Sequence, residues 1–349
     1  MTPLLRPSSA ARRLVAWLAE TAPKRLLILT HDHPDPDALA SAWALSLVAQ
    51  KVARTRVRIA YGGIVGRREN RTMLESLEVP AYPLRPGDLD DGAVALVDTQ
   101  PPFRNNRFPF PKRRRPDIVV DHHPKSPDTV ARLTIIDTTV GATTTLLAEA
   151  LLAAGVKVPR RLATAIVYGI GSETQNLGRE TSPRDAAAYT TFLPKADLNV
   201  LWRISNPRRP ASFFSHLARG IRGAFVWRDV IGVHLRELPT PDRVAQMADF
   251  LLTHERMRWS VVTGRYDGRL HVSLRTSSET THAGRTLKAL LGGGHRAGGH
   301  RMIAGGSLEV GHGVPERVWR RAEDGVARAF LRTRGAAAGA RPEHPFREA

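Results

Sequence analysis

Three short apolar runs in this chain each end in residue types that bind metal ions. Arg25-Leu-Leu-Ile-Leu-Thr30 runs into His31-Asp-His-Pro-Asp35-Pro-Asp37, Val94-Ala-Leu-Val97 runs into Asp98-Thr99, and Ile118-Val-Val120 runs into Asp121-His122-His123. Apolar runs this short, bounded by turn formers, read as buried strands. Two more are expected at Val57–Tyr61 and Leu133–Ile136. Helical patterns fall between or after them, at Ala38–Gln50, Asn70–Leu77, Ala142–Ala153, Arg161–Tyr168 and Pro183–Leu193. Strands alternating with helices predict an α/β fold whose mostly parallel sheet is flanked by helices. Such sheets bind ligands outside the carboxyl ends of their strands. All three polar clusters fall there.

His31, Asp35 and Asp37 share one short loop, stiffened by Pro34 and Pro36. A loop brings three side chains together more tightly than a regular helix or strand. Carboxylates with imidazole suit Mn²⁺, Mg²⁺ and similar ions. The plainer alternative is an acidic loop in which Asp37 caps a helix. Asp98 taken alone reads as a turn or helix cap. His122 and His123 do not share a face in an extended strand. In a turn, one can bind metal while its neighbour faces a substrate, and Asp121 can orient an imidazole from behind.

The second half repeats an α/β pattern. A boundary is expected near 203–215, where Arg203-Ile-Ser-Asn-Pro-Arg-Arg-Pro-Ala-Ser212 lacks an apolar period. This divides the chain into a domain at 1–202, a linker at 203–223, a smaller α/β domain at 224–335 and a frayed tail at 336–349. Extended segments are expected at Ala224–Leu238 and Trp259–Thr276, with helices at Pro241–His254, Ala283–Leu291 and Pro315–Arg332. Gly292-Gly-Gly-His295-Arg-Ala-Gly-Gly-His300 lets backbone amides approach an anion, with His295 and Arg275 adding charged bonds. A tight turn is the alternative. Gly62–Arg71 reads equally as a phosphate-binding loop or a plain connection, and Lys112-Arg-Arg-Arg115 reads better as a solvated run.

Composition narrows the function classes. The 349 residues contain no cysteine, which excludes disulfides, thiolate-bound zinc and cysteine nucleophiles. The net charge of +19 favours polyanionic partners, although a solvated arginine surplus would give the same number. No apolar stretch is long enough to span a bilayer and no signal-peptide pattern opens the chain, so a cytoplasmic location is expected.

Taken together and in this order, the motifs resemble the DHH phosphoesterases. HDHPDPD is similar to the first motif of that family, VDT to the second and DHH to the third. The glycine-rich run from Gly292 to His300 and Val272-Ser-Leu-Arg275-Thr-Ser resemble the DHHA1 domain that follows DHH in one large branch. The resemblance implies a two-metal centre hydrolysing phosphoesters in a cleft between the domains. It places His31 and Asp35 on one ion, Asp37 and His122 on the other, and Asp98 between them. His123 faces the scissile phosphate and Asp121 supports the histidines. Arg275, Gly293, Gly294 and His295 hold the substrate. The fourth motif reads Gly169-Ile-Gly-Ser-Glu173-Thr174, so Glu173 stands where the family has aspartate. It carries the same charge on a longer arm and is expected to ligate the second ion. The compact two-domain length points to the oligoribonuclease (nanoRNase) and pAp-phosphatase branch. That implies short RNA or DNA oligonucleotides or nucleotides as substrates, and Mn²⁺ ahead of Mg²⁺ or Co²⁺. It also leaves room for a homodimer. Cyclic-dinucleotide or pApA hydrolysis, polyphosphate hydrolysis and a catalytically degenerate RNA-binding protein are the competing readings.

Overall fold

The computed structural model describes residues 4–103, 105–109, 114–278, 280–293, 296–299 and 301–347. The chain divides into two compact units, Met1–Pro207 and Arg208–Ala349.

The first unit runs α1 (Ser9–Thr21), β1 (Arg25–Leu29), α2 (Pro36–Ala53), β2 (Arg56–Tyr61), α3 (Arg68–Leu77), β3 (Ala81–Pro83), β4 (Ala93–Val97), β5 (Ile118–Asp121), β6 (Leu133–Ile136), α4 (Thr143–Ala153), α5 (Arg160–Glu173), α6 (Pro183–Phe192) and α7 (Leu198–Ser205). Its six strands lie in the order β3-β2-β1-β4-β5-β6, and every pairing is parallel. The chain leaves β1 toward one edge through β2 and β3, then returns to β1's other side with β4. The strand order therefore reverses between β1 and β4, where a parallel sheet opens a crevice at its carboxyl edge.

Helix α2 is largely apolar around its circumference up to Ala49 because that stretch is largely enclosed. Leu39, Leu45 and Val48 are fully buried, and each contributes about 1.5–3 kcal/mol of apolar transfer free energy. Its alanines let α4 and α5 approach closely. Gly169 of α5 has no room for a side chain, since an added Cβ would lie 2.9 Å from both Ala40 Cβ and Thr144 Oγ1. This close crossing fixes the end of α5, where Glu173 sits.

The second unit runs α8 (Ala211–Arg222), β7 (Phe225–Trp227), β8 (Val230–Glu237), α9 (Asp242–Leu251), β9 (Trp259–Tyr266), β10 (Arg269–Thr276), α10 (Ala283–Leu291), β11 (Ala297–Gly299), β12 (Ile303–Glu309) and α11 (Glu316–Thr333). Its sheet has the order β11-β12-β10-β9-β8-β7. Only the β8–β9 pairing is parallel among those described.

Two segments differ from their reading in the sequence. Helix α8 lies inside the stretch read as a linker. Its arginines mask its period, yet Leu217 packs on the core of the second unit, and Gly220 leaves room for Met247. In the stretch read as a frayed tail, the Val226 and Glu343 backbones donate to each other at 2.8 and 2.9 Å, so residue 343 extends the sheet edge. Phe346 packs on the same core.

Candidate metal centre

The first-motif loop leaves β1 and starts α2. Asp35 is the N-cap of α2: its Oδ1 accepts from Ala38 N at 3.0 Å, while Pro36 occupies the first turn. The capping role considered for Asp37 thus belongs to Asp35. Asp37 is buried and serves a different helix. Its two carboxylate oxygens accept from Thr143 N and Thr144 N, each at 2.8 Å. These are the first amides of α4, whose own N-cap, Ala142, supplies no side-chain cap.

Asp98 leaves β4 with φ 59°, a left-handed conformation that aspartate tolerates better than most residues. Its Oδ1 accepts from Thr143 Oγ1 at 2.8 Å. The same oxygen lies 3.7 Å from His122 Nε2 and 3.7 Å from His123 Nδ1, while Oδ2 lies 3.6 Å from His31 Nε2. His31 Nε2 is also 3.7 Å from Asp35 Oδ2, and His122 Nε2 is 4.0 Å from Asp37 Oδ2. These separations are too long for hydrogen bonds. They are close to those of neighbouring donors around one cation, where ligand bonds of about 2.0–2.3 Å leave donors about 3 Å apart. Two donor sets meet this condition, namely Asp98 with His122 and His123, and His31 with Asp35 and Asp98. They overlap at Asp98.

The electrostatics also fit a cation. Among the described residues, neither Asp37 nor Asp98 forms an ion pair with lysine or arginine. Burial, then the charges of Asp98, Asp35 and Glu173, push the Asp37 carboxyl well above its ordinary range. Burial, then Asp35 and Asp98, push Glu173 up to about 7. Burial alone would lower all three histidines facing this charge. For His31, the neighbouring carboxylates of Asp35 and Asp98 outweigh it and hold the imidazole well above its usual value. For His123, the Asp121 carboxylate does the same and raises it to about 10. His122 is lowered, first by burial and then by the charge of His123. A cluster of carboxylates faced by histidines, with no lysine or arginine within ion-pair distance of Asp37 or Asp98 among the described residues, is electrostatically incomplete, and its oxygen and imidazole donors suit a divalent ion.

Three residues that the motif reading passed over hold this arrangement. Gln100 Nε2 donates to Asp121 Oδ2 at 2.8 Å and to the carbonyls of His123 and Pro124. Gln100 Oε1 accepts from Ser126 N and Thr129 Oγ1. Asp121 in turn places Oδ1 2.8 Å from His123 Nδ1. Gln100 thereby ties the second-motif loop to the third. Thr143 and Thr144 do the equivalent for Asp98 and Asp37. A run of three threonines opening a helix was the only local signal for these two, and Gln100 carried none.

The expected substrate-binding residues belong to the second unit. Arg275 is buried on β10, with Nε donating to Asp249 Oδ1 at 2.5 Å and Nη1 to the carbonyls of Leu274 and Ala304. Gly293 has φ 145°, just beyond the C-cap of α10. Gly294 and His295 lie outside the described residues, as do Lys112 and Arg113. Arg71, considered as a phosphate contact, turns back on its own loop, where Nη1 donates to the Gly66 carbonyl at 2.6 Å.

Fold and donor set define a DHH-type protein. Residues 25–170 match the model of the DHH family, N-terminal domain, and residues 229–320 match that of the DHHA1 domain. The chain belongs to this DHH–DHHA1 family. It is 33% identical over 288 residues to the uncharacterized protein MJ1633 of Methanocaldococcus jannaschii, a match covering 82% of this chain and 58% of the relative. The chain thus spans little more than half of that relative's length. An exopolyphosphatase-related protein from Bacteroides fragilis shares the fold, with a TM-score of 0.73 at 16% identity over 94% of this chain and 98% of the other. RecJ from Thermus thermophilus, solved in complex with Mn²⁺, aligns with a TM-score of 0.53 at 15% identity over 95% of this chain and 56% of its own.

Proposed function

We propose that this protein is a divalent-metal-dependent phosphoester hydrolase. Its substrates are short oligonucleotides such as dinucleotides and nanoRNA, or pAp, and it releases nucleoside monophosphates. One observation carries the reading: two donor sets share the Asp98 carboxylate at the point where the sheet reverses its strand order. His31 and Asp35 would hold one ion and Asp98 both; His122 would hold the other with Asp37 and Glu173, and His123, the third member of its donor set, would be left to the substrate. The mixed imidazole and carboxylate donors favour Mn²⁺; the Thermus RecJ was solved with Mn²⁺ and with Mg²⁺. Ions bound there would supply positive charge to the phosphoryl oxygens and acidify a nucleophilic water.

The chain's own residues do the rest. Asp121 engages His123 at Nδ1 and leaves Nε2 to hold or release a proton at the substrate. Thr143 and the amides opening α4 keep Asp98 and Asp37 oriented, so their charge need not reorganise during reaction. In the C-terminal unit, Gly293, Gly294 and His295 would hold the far end of the substrate. Arg275 would join them by exchanging Asp249 for a phosphate.

The deciding experiment incubates metal-stripped protein with pApA, with and without Mn²⁺, and quantifies AMP by chromatography. Mn²⁺-dependent AMP is expected. A folded, ion-loaded protein that releases none rejects dinucleotide hydrolysis; parallel assays on pAp and polyphosphate then separate another phosphoesterase from a degenerate binder.

A further inference from the structure

Three arginines are buried among the described residues: Arg179, Arg265 and Arg275. Two are matched by carboxylates, since Arg265 Nε lies 2.7 Å from Glu323 and Arg275 Nε lies 2.5 Å from Asp249. Arg179 is not. It is 9% exposed, and no carboxylate lies within ion-pair distance of it among the described residues, although its charge acts from further off on the Glu173 carboxyl. Its Nη2 donates at 3.2 Å to the backbone carbonyl of Glu173, and its buried Nε has no acceptor. A guanidinium keeps its charge at any working pH, and burying one without a partner anion is costly.

The chain holds this arginine beside the metal centre at further cost. After Glu173 the backbone makes a left-handed turn through Gln175, Asn176 and Leu177, with φ 49°, 56° and 67°. Three consecutive non-glycine residues in that region are strained. The turn is fastened from both ends: Asn176 N donates to Gly171 O at 2.7 Å and Arg179 N to Thr174 O at 2.9 Å. Glu180 then packs on Gly141, where an added Cβ would come within 2.4 Å of the Glu180 carbonyl. Gly141 directly precedes Ala142, the N-cap of α4, the helix whose first amides hold Asp37. The arginine is therefore delivered to one place, next to a carboxylate of the centre, on a braced turn.

We propose that Arg179 is a phosphate-contacting residue whose guanidinium takes phosphoryl oxygens of the substrate on the Glu173 side of the centre. The directly contacting anion that this guanidinium lacks is then the ligand itself, and a planar fork of donors matches phosphate oxygens better than a lysine would. This rests on the phosphoesterase reading and adds to it a substrate contact from the N-terminal unit. The alternative is a prop that only steadies the end of α5.

The test compares wild type with Arg179→Met, which keeps volume and removes the buried charge, and with Arg179→Lys, which keeps charge and removes the fork. Inorganic phosphate is the probe, titrated calorimetrically into the Mn²⁺-loaded full chain; Mn²⁺ affinity and melting temperature are measured alongside. Arg179→Met should weaken phosphate binding at least about tenfold, and Arg179→Lys by about threefold. Mn²⁺ affinity should stay within about twofold of wild type, and the melting temperature of Arg179→Met should hold or rise. Unchanged phosphate affinity in Arg179→Met overturns the proposal, as does a drop in Mn²⁺ affinity and melting temperature as large as the drop in phosphate binding. Should Arg179→Met fail to fold, Arg179→Lys decides, and wild-type phosphate affinity in it counts against the fork. The two readings fail separately. Wild type that binds phosphate through Arg179 but hydrolyses neither pApA, pAp nor polyphosphate loses the hydrolase and keeps the contact. Wild type that hydrolyses pApA while Arg179→Met matches it in KM and kcat keeps the hydrolase and loses the contact.

Discussion

In the C-terminal unit, Arg265 lies between Glu316 and Glu323, donating to Glu316 at 2.5 Å and to Glu323 at 2.7 Å, and stacking over Trp319. Arg236 also reaches Glu323. In the N-terminal unit, Asp37 and Asp98 are buried with Asp35 and Glu173 close enough to raise the Asp37 carboxyl, and among the described residues histidines rather than lysine or arginine lie within ion-pair distance of Asp37 and Asp98. Both units bury charge. One neutralises it internally and uses it to bind α11 to its sheet. The other leaves a negative surplus, oriented by amides and hydroxyls, that a ligand must complete. Buried charge thus has two uses in one chain, and the identity of the counter-ion tells them apart.

The sharpest way to break this contrast is to remove charge from the incomplete cluster. Asp98→Asn should lower hydrolysis by about 10³-fold or more, because the shared carboxylate is lost. It should leave the metal-free protein at least as stable as wild type, since like-charge repulsion falls. Asp37→Asn should be equally inactive but melt lower, by about 1 kcal/mol of lost helix capping, because its amide NH₂ faces one of two α4 amides. Activity assays and thermal melts of the metal-free forms check both; a large loss of stability in Asp98→Asn would mean that its charge is structural. The opposite result is expected from the paired network. Glu323→Ala should cost about 3–5 kcal/mol in urea denaturation, since Arg265 and Arg236 lose a buried partner, while Mn²⁺ binding stays intact.

Two smaller effects sharpen the comparison. Gln100→Ala unties Asp121 from the second-motif loop, and activity or metal affinity should fall by about 10–100-fold with little change in fold by circular dichroism. The last concerns protons. Glu173 is pushed up to about 7, so its carboxyl is still partly protonated at neutral pH and must ionise to bind a cation. Mn²⁺ affinity should therefore rise with pH through that range, and Glu173→Gln should flatten the rise by about one proton per ion. Raised histidines extend the remaining slope upward, with His123 near 10 before any ion binds. Calorimetry at several pH values reads the slope; an unchanged slope in Glu173→Gln removes Glu173 from the ligand set.

Elements made of contiguous apolar residues could be read from the chain alone. Strands β1, β4 and β5 fall where their short runs predicted, and the motif residues follow their carboxyl ends because a parallel sheet leaves nowhere else for them. The edge strand β3 is only Ala81-Tyr-Pro83, too short for any period. Helices α7 and α8 hide theirs behind arginines and neighbouring prolines. Within the site, ligand types were visible because His and Asp clusters are rare at strand ends. Their supports were not. Gln100 meets Asp121 across 21 residues and Thr143 meets Asp37 across 106, so no local pattern records either contact. Arg179 was invisible for another reason: among so many arginines, only burial singles it out.

The double duty of Asp37 has an evolutionary consequence. Its carboxylate is one donor of the centre and also the cap of a helix whose first residue lies 106 positions away. A duplicate copy released from selection for catalysis would still be held to an acid at position 37 by its need to fold. Positions 31 and 98 would drift first. Descendants that had lost the chemistry would then keep Asp37 as the longest-lived trace of it.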